Sequence, residues 1–243
     1  MKSFVSSILT VLLLFAGSVF ASAQSRYTDE LQNMNIRLLD PVDMVSPSKN
    51  EDAMIAYSIG SYYMYENRTN EAEKYLLEAI ALDPGFVDAY DHLGIVYRRQ
   101  SRYAESEAMY LRSIELNDQN KVPFTNLAIV YRIQNKLQEA FELYMHVIEI
   151  LPYDPEGYYG VGELFFMVSD YETALHFFDI AIMMYDILES PYIYDAYYYK
   201  GLILYYTGDY SEALKFLEEA RIGNPNNSDL ERVIRDIRSN RLN

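Results

Sequence analysis

Cysteine and tryptophan are absent from this 243-residue sequence, and histidine occurs only three times. Without cysteine the chain cannot form disulfides, use a thiolate as a nucleophile, hold a metal through sulfur or carry a lipid on a cysteine. Positive charge is also scarce, because 20 Lys and Arg face 36 Asp and Glu, which leaves a net charge of −16. Nucleic acids bind to basic surfaces. We therefore expect no nucleic-acid partner.

Motifs of catalysis and cofactor binding are missing as well. The sequence has no H-E-x-x-H, Walker loop, G-x-S-x-G or G-x-G-x-x-G, the spacings typical of several hydrolase and nucleotide-binding folds. His92, His146 and His176 do not have the spacing of metal ligands. The acids are spread along the chain, which is typical of solvated helical faces, although a basic partner would also match them. We predict no enzyme activity, no metal site and no cofactor.

The first 23 residues have the layout of a secretory signal peptide. Lys2 gives a positive start, residues 5–20 are mainly apolar, and A-S-A at 21–23 is a cleavage site. Serine, threonine and glycine interrupt the apolar stretch, which argues against a permanent membrane span of about 20 residues. No second apolar run of that length follows. We therefore predict a periplasmic or secreted protein with no integral membrane span in its mature chain.

What the sequence does contain is a repeat. Small residues recur every 34 residues at Gly60, Gly94, Ala128 and Gly162, and then at Gly201 after a step of 39. The spacings of three and four around them are helical. Twelve residues after each one stands a second small residue, and four further on a large one, so that two helices can approach closely. The second small residues are Ala72, Ser106, Ala140, Ala174 and Ala213, and the large ones are Leu76, Tyr110, Tyr144, Phe178 and Leu217.

This pattern resembles the tetratricopeptide-repeat (TPR) family, whose unit is a 34-residue helix-turn-helix. The aromatic residue that opens the family pattern appears as Tyr90, Phe124, Tyr158 and Tyr197. The resemblance implies an all-α fold, a right-handed α-solenoid of five helix-turn-helix TPR units. The predicted repeat region is 53–226, with units at 53–86, 87–120, 121–154, 155–193 and 194–226.

A solenoid exposes an apolar face at each end, which a cap must cover. We predict a C-terminal capping helix in residues 227–243, because that segment carries one apolar stripe at helical spacing. Residues 24–52 form an N-terminal segment that we predict to be partly helical or loose. The apolar stripe of the cap is Leu230, Val233, Ile234 and Ile237.

Capping boxes predict where several helices begin, since a polar side chain before the helix and a Glu three residues later satisfy free N–H groups. The five-residue insertion near 187–193 lengthens the turn between units four and five, either as a contact loop or as an insertion without a function. The predicted capping boxes are Asn70–Glu73, Ser169–Glu172, Asp209–Glu212 and Ser228–Glu231.

In the TPR family the first helices of the units line a concave groove that binds extended peptides or partner helices. The resemblance implies which positions face that groove here, and Glu156 and Asp195 are among them. Many of these positions carry Tyr, Met or Phe that packing does not require, and such side chains are common at contact surfaces. The predicted partner-binding residues are Tyr57, Met64, Tyr65, Arg98, Arg99, Arg132, Tyr159, Phe166, Met167, Tyr198, Tyr205 and Tyr206.

Three of these residues, Arg98, Arg99 and Arg132, are basic in an otherwise acidic chain. An arginine cluster can take a carboxylate of a partner through bidentate hydrogen bonds. The alternative is that the arginines pair with neighbouring Asp and Glu of the chain itself, and both interpretations stay open.

We therefore predict a scaffold that binds a partner protein or peptide in the groove, outside the cytoplasm. Two alternatives are a non-catalytic subunit of an envelope enzyme or secretion complex and a self-assembling structural protein. A homo-oligomer that buries the aromatic stripe also stays open.

Overall fold

The computed structural model describes residues 47–240 of the chain. Within this range there are eleven α-helices and no β-strand. Ten helices form five helix-turn-helix pairs and the last follows as a single helix, so the predicted all-α fold class of five units and a capping helix is confirmed. The predicted signal peptide, 1–23, and most of the N-terminal segment lie outside the described residues.

None of the described helices is long and apolar enough to cross a membrane.

The helix pairs repeat with the period of the sequence. The helices are α1 (Glu51–Tyr65), α2 (Thr69–Leu82), α3 (Val87–Arg99), α4 (Tyr103–Leu116), α5 (Lys121–Ile133), α6 (Leu137–Ile150), α7 (Pro155–Met167), α8 (Tyr171–Ile187), α9 (Ile193–Thr207), α10 (Tyr210–Gly223) and α11 (Ser228–Asn240).

The described part of the chain divides into two compact units, the first ending at Asp118 and the second beginning at Gln119. In the first unit, α1 to α4 pack around one apolar core. In the second, each helix from α5 to α11 packs on the next, and three apolar clusters follow one another along the unit. The apolar stripe of α11 closes the last cluster against α9 and α10.

The close contact predicted between the two helices of a pair is present. A Cβ atom on Gly94 would lie 2.6 Å from the ring of Tyr110, and one on Gly201 would lie 2.7 Å from Leu217. No real Cβ tolerates such distances, so only glycine allows this approach. In the third pair, Ala128 and Tyr144 belong to one apolar cluster, and Gly160 of α7 also approaches Tyr144, where a Cβ would lie 2.3 Å from its ring.

The turn inside each helix pair places a left-handed residue seven positions after the small residue of the first helix. Residues other than Gly, Asn and Asp rarely adopt this conformation, because Cβ approaches the following carbonyl. The five residues are Asn67, Ser101, Asn135, Ser169 and Gly208, with φ of 58°, 61°, 59°, 62° and 90°.

These turns correct two of the predicted capping boxes. Because Ser169 is the left-handed residue, the cap of α8 is Asp170, whose side chain accepts a hydrogen bond from the Thr173 N–H at 3.2 Å. For α2, the residue before the helix is Arg68, which makes no side-chain capping bond.

Of the other two predicted capping boxes, the structure agrees with the one at Asp209 and differs from the one at Ser228. Asp209 accepts from the Glu212 N–H as predicted. At α11 the capping side chain is Asn227, one residue before the predicted Ser228, and it accepts from the N–H groups of Asp229 and Leu230.

Candidate functional site

A cleft of about 240 Å³ opens in the second unit where α7, α8 and α9 meet. Two carboxylates and three tyrosine rings line it. They are Glu156 and Tyr159 of α7, Tyr185 of α8, Tyr192 in the turn before α9, and Asp195 in the first turn of α9.

The five-residue insertion builds one side of this cleft. Helix α8 has 17 residues, whereas α2, α4, α6 and α10 have 14 each. Tyr185 stands in the extra turn, and the lengthened connection brings Tyr192 to a ring-centroid distance of 6.4 Å from it. The departure from the regular repeat therefore supplies two aromatic walls that the other helix pairs have no residues to supply.

Negative charge in the cleft is only partly compensated. The Tyr185 hydroxyl donates a hydrogen bond to Glu156 Oε1 at 3.3 Å. Burial raises the pKa of Glu156, and the positive charge of Lys121 opposes part of this rise. Desolvation also raises the pKa of Asp195. The nearby Lys121 is paired with Asp154, and within residues 47–240 no Lys or Arg forms an ion pair with either cleft carboxylate.

Aromatic rings lead from the cleft to the surface. Tyr159 lies 5.9 Å from Tyr199 between ring centroids, and Tyr199 lies 5.2 Å from Phe166. Phe166 in turn contacts Tyr206, which stacks on Tyr171 at 5.7 Å. Tyr206 is 54% exposed. We call these five residues the aromatic path.

Most predicted binding residues of the second unit lie on or beside this path. Tyr159 lines the cleft, and Met167 follows Phe166 as an exposed side chain at the end of α7. Tyr198 is half-buried among residues of α10 and α11, and the Tyr205 hydroxyl donates a hydrogen bond to Asp236 of α11.

The first unit differs from the prediction at two positions. Tyr57 and Met64 are 3% and 2% exposed, so they belong to the core rather than to a free surface. The ring of Tyr57 packs on Phe86 and on His92, and its hydroxyl is hydrogen-bonded to His92 Nε2 at 3.2 Å. Tyr65, at the end of α1, is exposed.

The three arginines have separate surroundings. Arg99 donates a hydrogen bond to the backbone carbonyl of Met64, and Arg98 lies half-buried beside Tyr110. In the second unit, Arg132 is paired with Glu163, as the alternative interpretation expects. That Arg98 and Arg99 bind a partner carboxylate stays a prediction.

Tyr185 and Tyr192 are the two cleft residues that we did not predict from the sequence. The only sequence signal for them is the insertion itself, which places two tyrosines where the regular repeat has turn residues. Among the described residues, no group of three or more histidine or acidic side chains is placed to hold a metal ion.

Two family models match the sequence. The middle TPR-like domain of cilia and flagella-associated protein 70 matches residues 35–148, and a tetratricopeptide-repeat model matches residues 194–227. No curated protein sequence gives a significant match.

Solved structures share the fold at low identity. The APC/C hetero-tetramer Cut9-Hcn1 has a TM-score of 0.72 at 18% identity over 90% of this chain, which spans only 41% of that chain. The thermophilic TPR protein TTC0263 of Thermus thermophilus has a TM-score of 0.63 at 13% identity, covering 76% of this chain and 98% of its own. YrrB, described as a TPR protein with an unusual peptide-binding site, has a TM-score of 0.51 at 19% identity, covering 85% and 96%.

Proposed function

Because this chain is a tetratricopeptide-repeat protein, we propose that it is a non-catalytic scaffold that holds a partner protein or peptide outside the cytoplasm. The observation that carries this proposal is the aromatic path of the second unit, which runs from the cleft to the exposed Tyr206. The description of YrrB as a TPR protein with a peptide-binding site supports the same function.

The surface around Tyr206 and Met167 is apolar, structured and open to solvent. Tyr206 and Met167 leave about half of their side chains in water at the ends of neighbouring first helices. Tyrosine offers a large rigid face and a hydroxyl, so it gains contact area at a small loss of side-chain freedom. A partner segment laid along α7 and α9 would cover this surface.

The sequence of residues 1–23 supports the location that we propose. Residues 1–23 have the layout of a cleaved signal. Fractionation of the native host, with mass spectrometry of the N-terminus, tests it. We expect a chain that begins near Gln24 outside the cytoplasm, and a chain that retains residues 1–23 in the cytoplasm would contradict this part of the proposal.

Peptide binding can be tested without a known partner. Random peptides displayed on phage are selected on the folded protein, and their Kd is measured by fluorescence polarisation. We expect Tyr206→Ser and Met167→Ser each to raise Kd about 10-fold, because truncation of an aromatic or apolar anchor costs more than about 1 kcal/mol.

The matched control is Met183→Ser on the second helix α8, since Met183 is 55% exposed. It should leave Kd unchanged. Equal Kd values for all three variants and the wild type, or no peptide that binds, would contradict the proposed surface.

A further inference from the structure

The cleft of the second unit has a defined chemistry that goes beyond a general contact surface. Glu156 and Asp195 bring two carboxylates to one cleft, and within the described chain neither is ion-paired. Glu156 is half-buried and Asp195 is exposed, so both carboxylates can be reached from solvent. The cleft therefore carries negative charge and favours a positively charged occupant.

Its walls favour the same kind of occupant. Tyr159, Tyr185 and Tyr192 surround the carboxylates with three aromatic rings. The face of an aromatic ring attracts a cation within about 6 Å of its centroid, and the attraction grows when water is excluded. Tyr185 is buried, so this ring is held in place by the fold, whereas Tyr192 is exposed to solvent.

The size of the cleft suits a single side chain. Its volume of about 240 Å³ lies below the roughly 300–1,000 Å³ of sites for drug-sized molecules. The cleft opens at the start of the aromatic path, through the contact of Tyr159 with Tyr199. A peptide on the path would thus bring its side chains to the mouth of the cleft.

We propose that this cleft receives a lysine or arginine side chain of the bound protein partner. The cation lies between the two carboxylates, and its methylene stem lies against the tyrosine rings. The net charge of −16 adds a long-range attraction for a basic segment. This inference rests on the proposed function, because it names the chemistry of the partner that the scaffold holds.

Other occupants fit the cleft less well. An anionic side chain would meet two carboxylates, and the nearby Lys121 is already paired with Asp154. A neutral apolar side chain would desolvate Glu156 and Asp195 further and give them no partner. Ca²⁺ and Mg²⁺ prefer six or more oxygen ligands, and two carboxylates supply few of them.

The direct test uses capped amino acids as probes. Nα-acetyl-lysine N-methylamide and Nα-acetyl-arginine N-methylamide are titrated into protein with ¹³C-labelled tyrosine rings, and the Tyr185 and Tyr192 signals are assigned through single Phe variants. We expect saturable shifts of these two signals at about millimolar concentration, which is the affinity of a single-residue contact. The neutral isosteres acetyl-norleucine and acetyl-citrulline N-methylamides should give none.

The carboxylates are tested by the double variant Glu156→Gln/Asp195→Asn. We expect it to weaken binding of both cationic probes at least about 10-fold. The matched control is Glu142→Gln/Glu219→Gln, which removes two exposed carboxylates from α6 and α10. It should change the affinity less than about 2-fold, and circular dichroism confirms that both variants are folded.

Several results would overturn the inference. Equal shifts with norleucine would show an apolar subsite, and no saturable shift with any probe would show that the cleft is not a binding site. If n-butylamine or spermidine binds more tightly than the capped lysine, and lysine-containing peptides do not displace it, the cleft serves a free small cation instead of a protein side chain.

The two proposals can fail separately. Peptides that depend on Tyr206 but show no need of a basic residue would refute the cation subsite and leave the scaffold intact. Binding of capped lysine at the cleft, without any peptide that depends on Tyr206, would refute the scaffold surface, and with it the assignment of the cation to a bound peptide.

Discussion

The guanidinium of Arg132 lies 2.5 Å from the carboxylate of Glu163, one helix pair further along the chain. The Tyr199 hydroxyl donates a hydrogen bond to the same oxygen, Glu163 Oε1, at 2.8 Å. One carboxylate thus links the first helices α5, α7 and α9. The two charged side chains are 22% and 10% exposed, so little water screens their attraction. The charge of Arg132 is therefore neutralised by a carboxylate of the second unit.

We expect Glu163→Gln to lower the free energy of unfolding by about 1–3 kcal/mol. The change leaves Arg132 half-buried without its charge partner, and breaking a fully buried pair costs about 3–5 kcal/mol, a cost that the remaining exposure reduces. Urea denaturation followed by circular dichroism measures the loss. The control is Glu115→Gln, which breaks the exposed pair with Arg112 and should cost less than about 0.5 kcal/mol. Equal losses would show that the Arg132–Glu163 pair adds nothing.

Gly160→Ala should also destabilise the second unit, by about 1–3 kcal/mol, because overpacking forces side chains or backbone to move. The new Cβ would lie 2.3 Å from the Tyr144 ring, which is itself buried. Gly85→Ala is the comparison, since that Cβ would meet only Asp83 Oδ1, at 3.3 Å. Thermal and urea unfolding measure the stability of both variants, and equal stability of the two would rule out the close contact between Gly160 and Tyr144.

Ser169→Gly should stabilise the protein by about 0.5–1 kcal/mol. Ser169 has φ of 62°, and the left-handed conformation costs an L-residue about 1–2 kcal/mol. Glycine avoids this cost, but it loses more backbone entropy on folding, so the net gain is smaller. Asn135 occupies the same turn position with φ of 59°, but Asn tolerates this region. Asn135→Gly should therefore change the midpoint of urea unfolding less than Ser169→Gly does, and the opposite order would refute the explanation.

Acidification should destabilise the first unit through His92. Burial, with a smaller contribution from Arg99, lowers the pKa of His92 to about 4, whereas the unfolded chain has about 6.5. The unfolded state therefore takes up the proton first, and stability is lost as the pH falls from about 6.5 to about 4, by about 2–3 kcal/mol. Tyr57 and Ser61 hold both ring nitrogens of the neutral ring.

The measurement compares wild type with His92→Gln in urea at several pH values. Titrating groups that both proteins share cancel in the difference between their free energies of unfolding. It should shrink as the pH falls through this window, because only the wild type loses the contribution of neutral His92. A difference that stays constant from pH 7 to pH 4 would show that His92 is not buried in its neutral form.

How far the sequence predicts the structure depends on the distance along the chain between the interacting groups. The helix pairs and their close contacts follow from residues 12 to 16 positions apart, such as Gly94 and Tyr110, and these predictions are confirmed. At α8 and α11 the observed capping residue lies one position from the predicted one, because turn residues and capping residues are polar residues of the same types. The left-handed turn positions repeat in sequence as well, yet Asn, Ser and Gly are too common for that signal to stand out.

The sequence alone determined the repeat, the all-α fold and the apolar stripe of the last helix, because the helical period fixes which neighbouring side chains share a face. Only the tertiary structure decided that Arg132 pairs with Glu163, that Tyr57 is buried against His92, and that the insertion closes a cleft. Such contacts join residues about one repeat apart, and several side chains compete for each of them. Through-space distance and desolvation select among these candidates, and neither can be read from spacing.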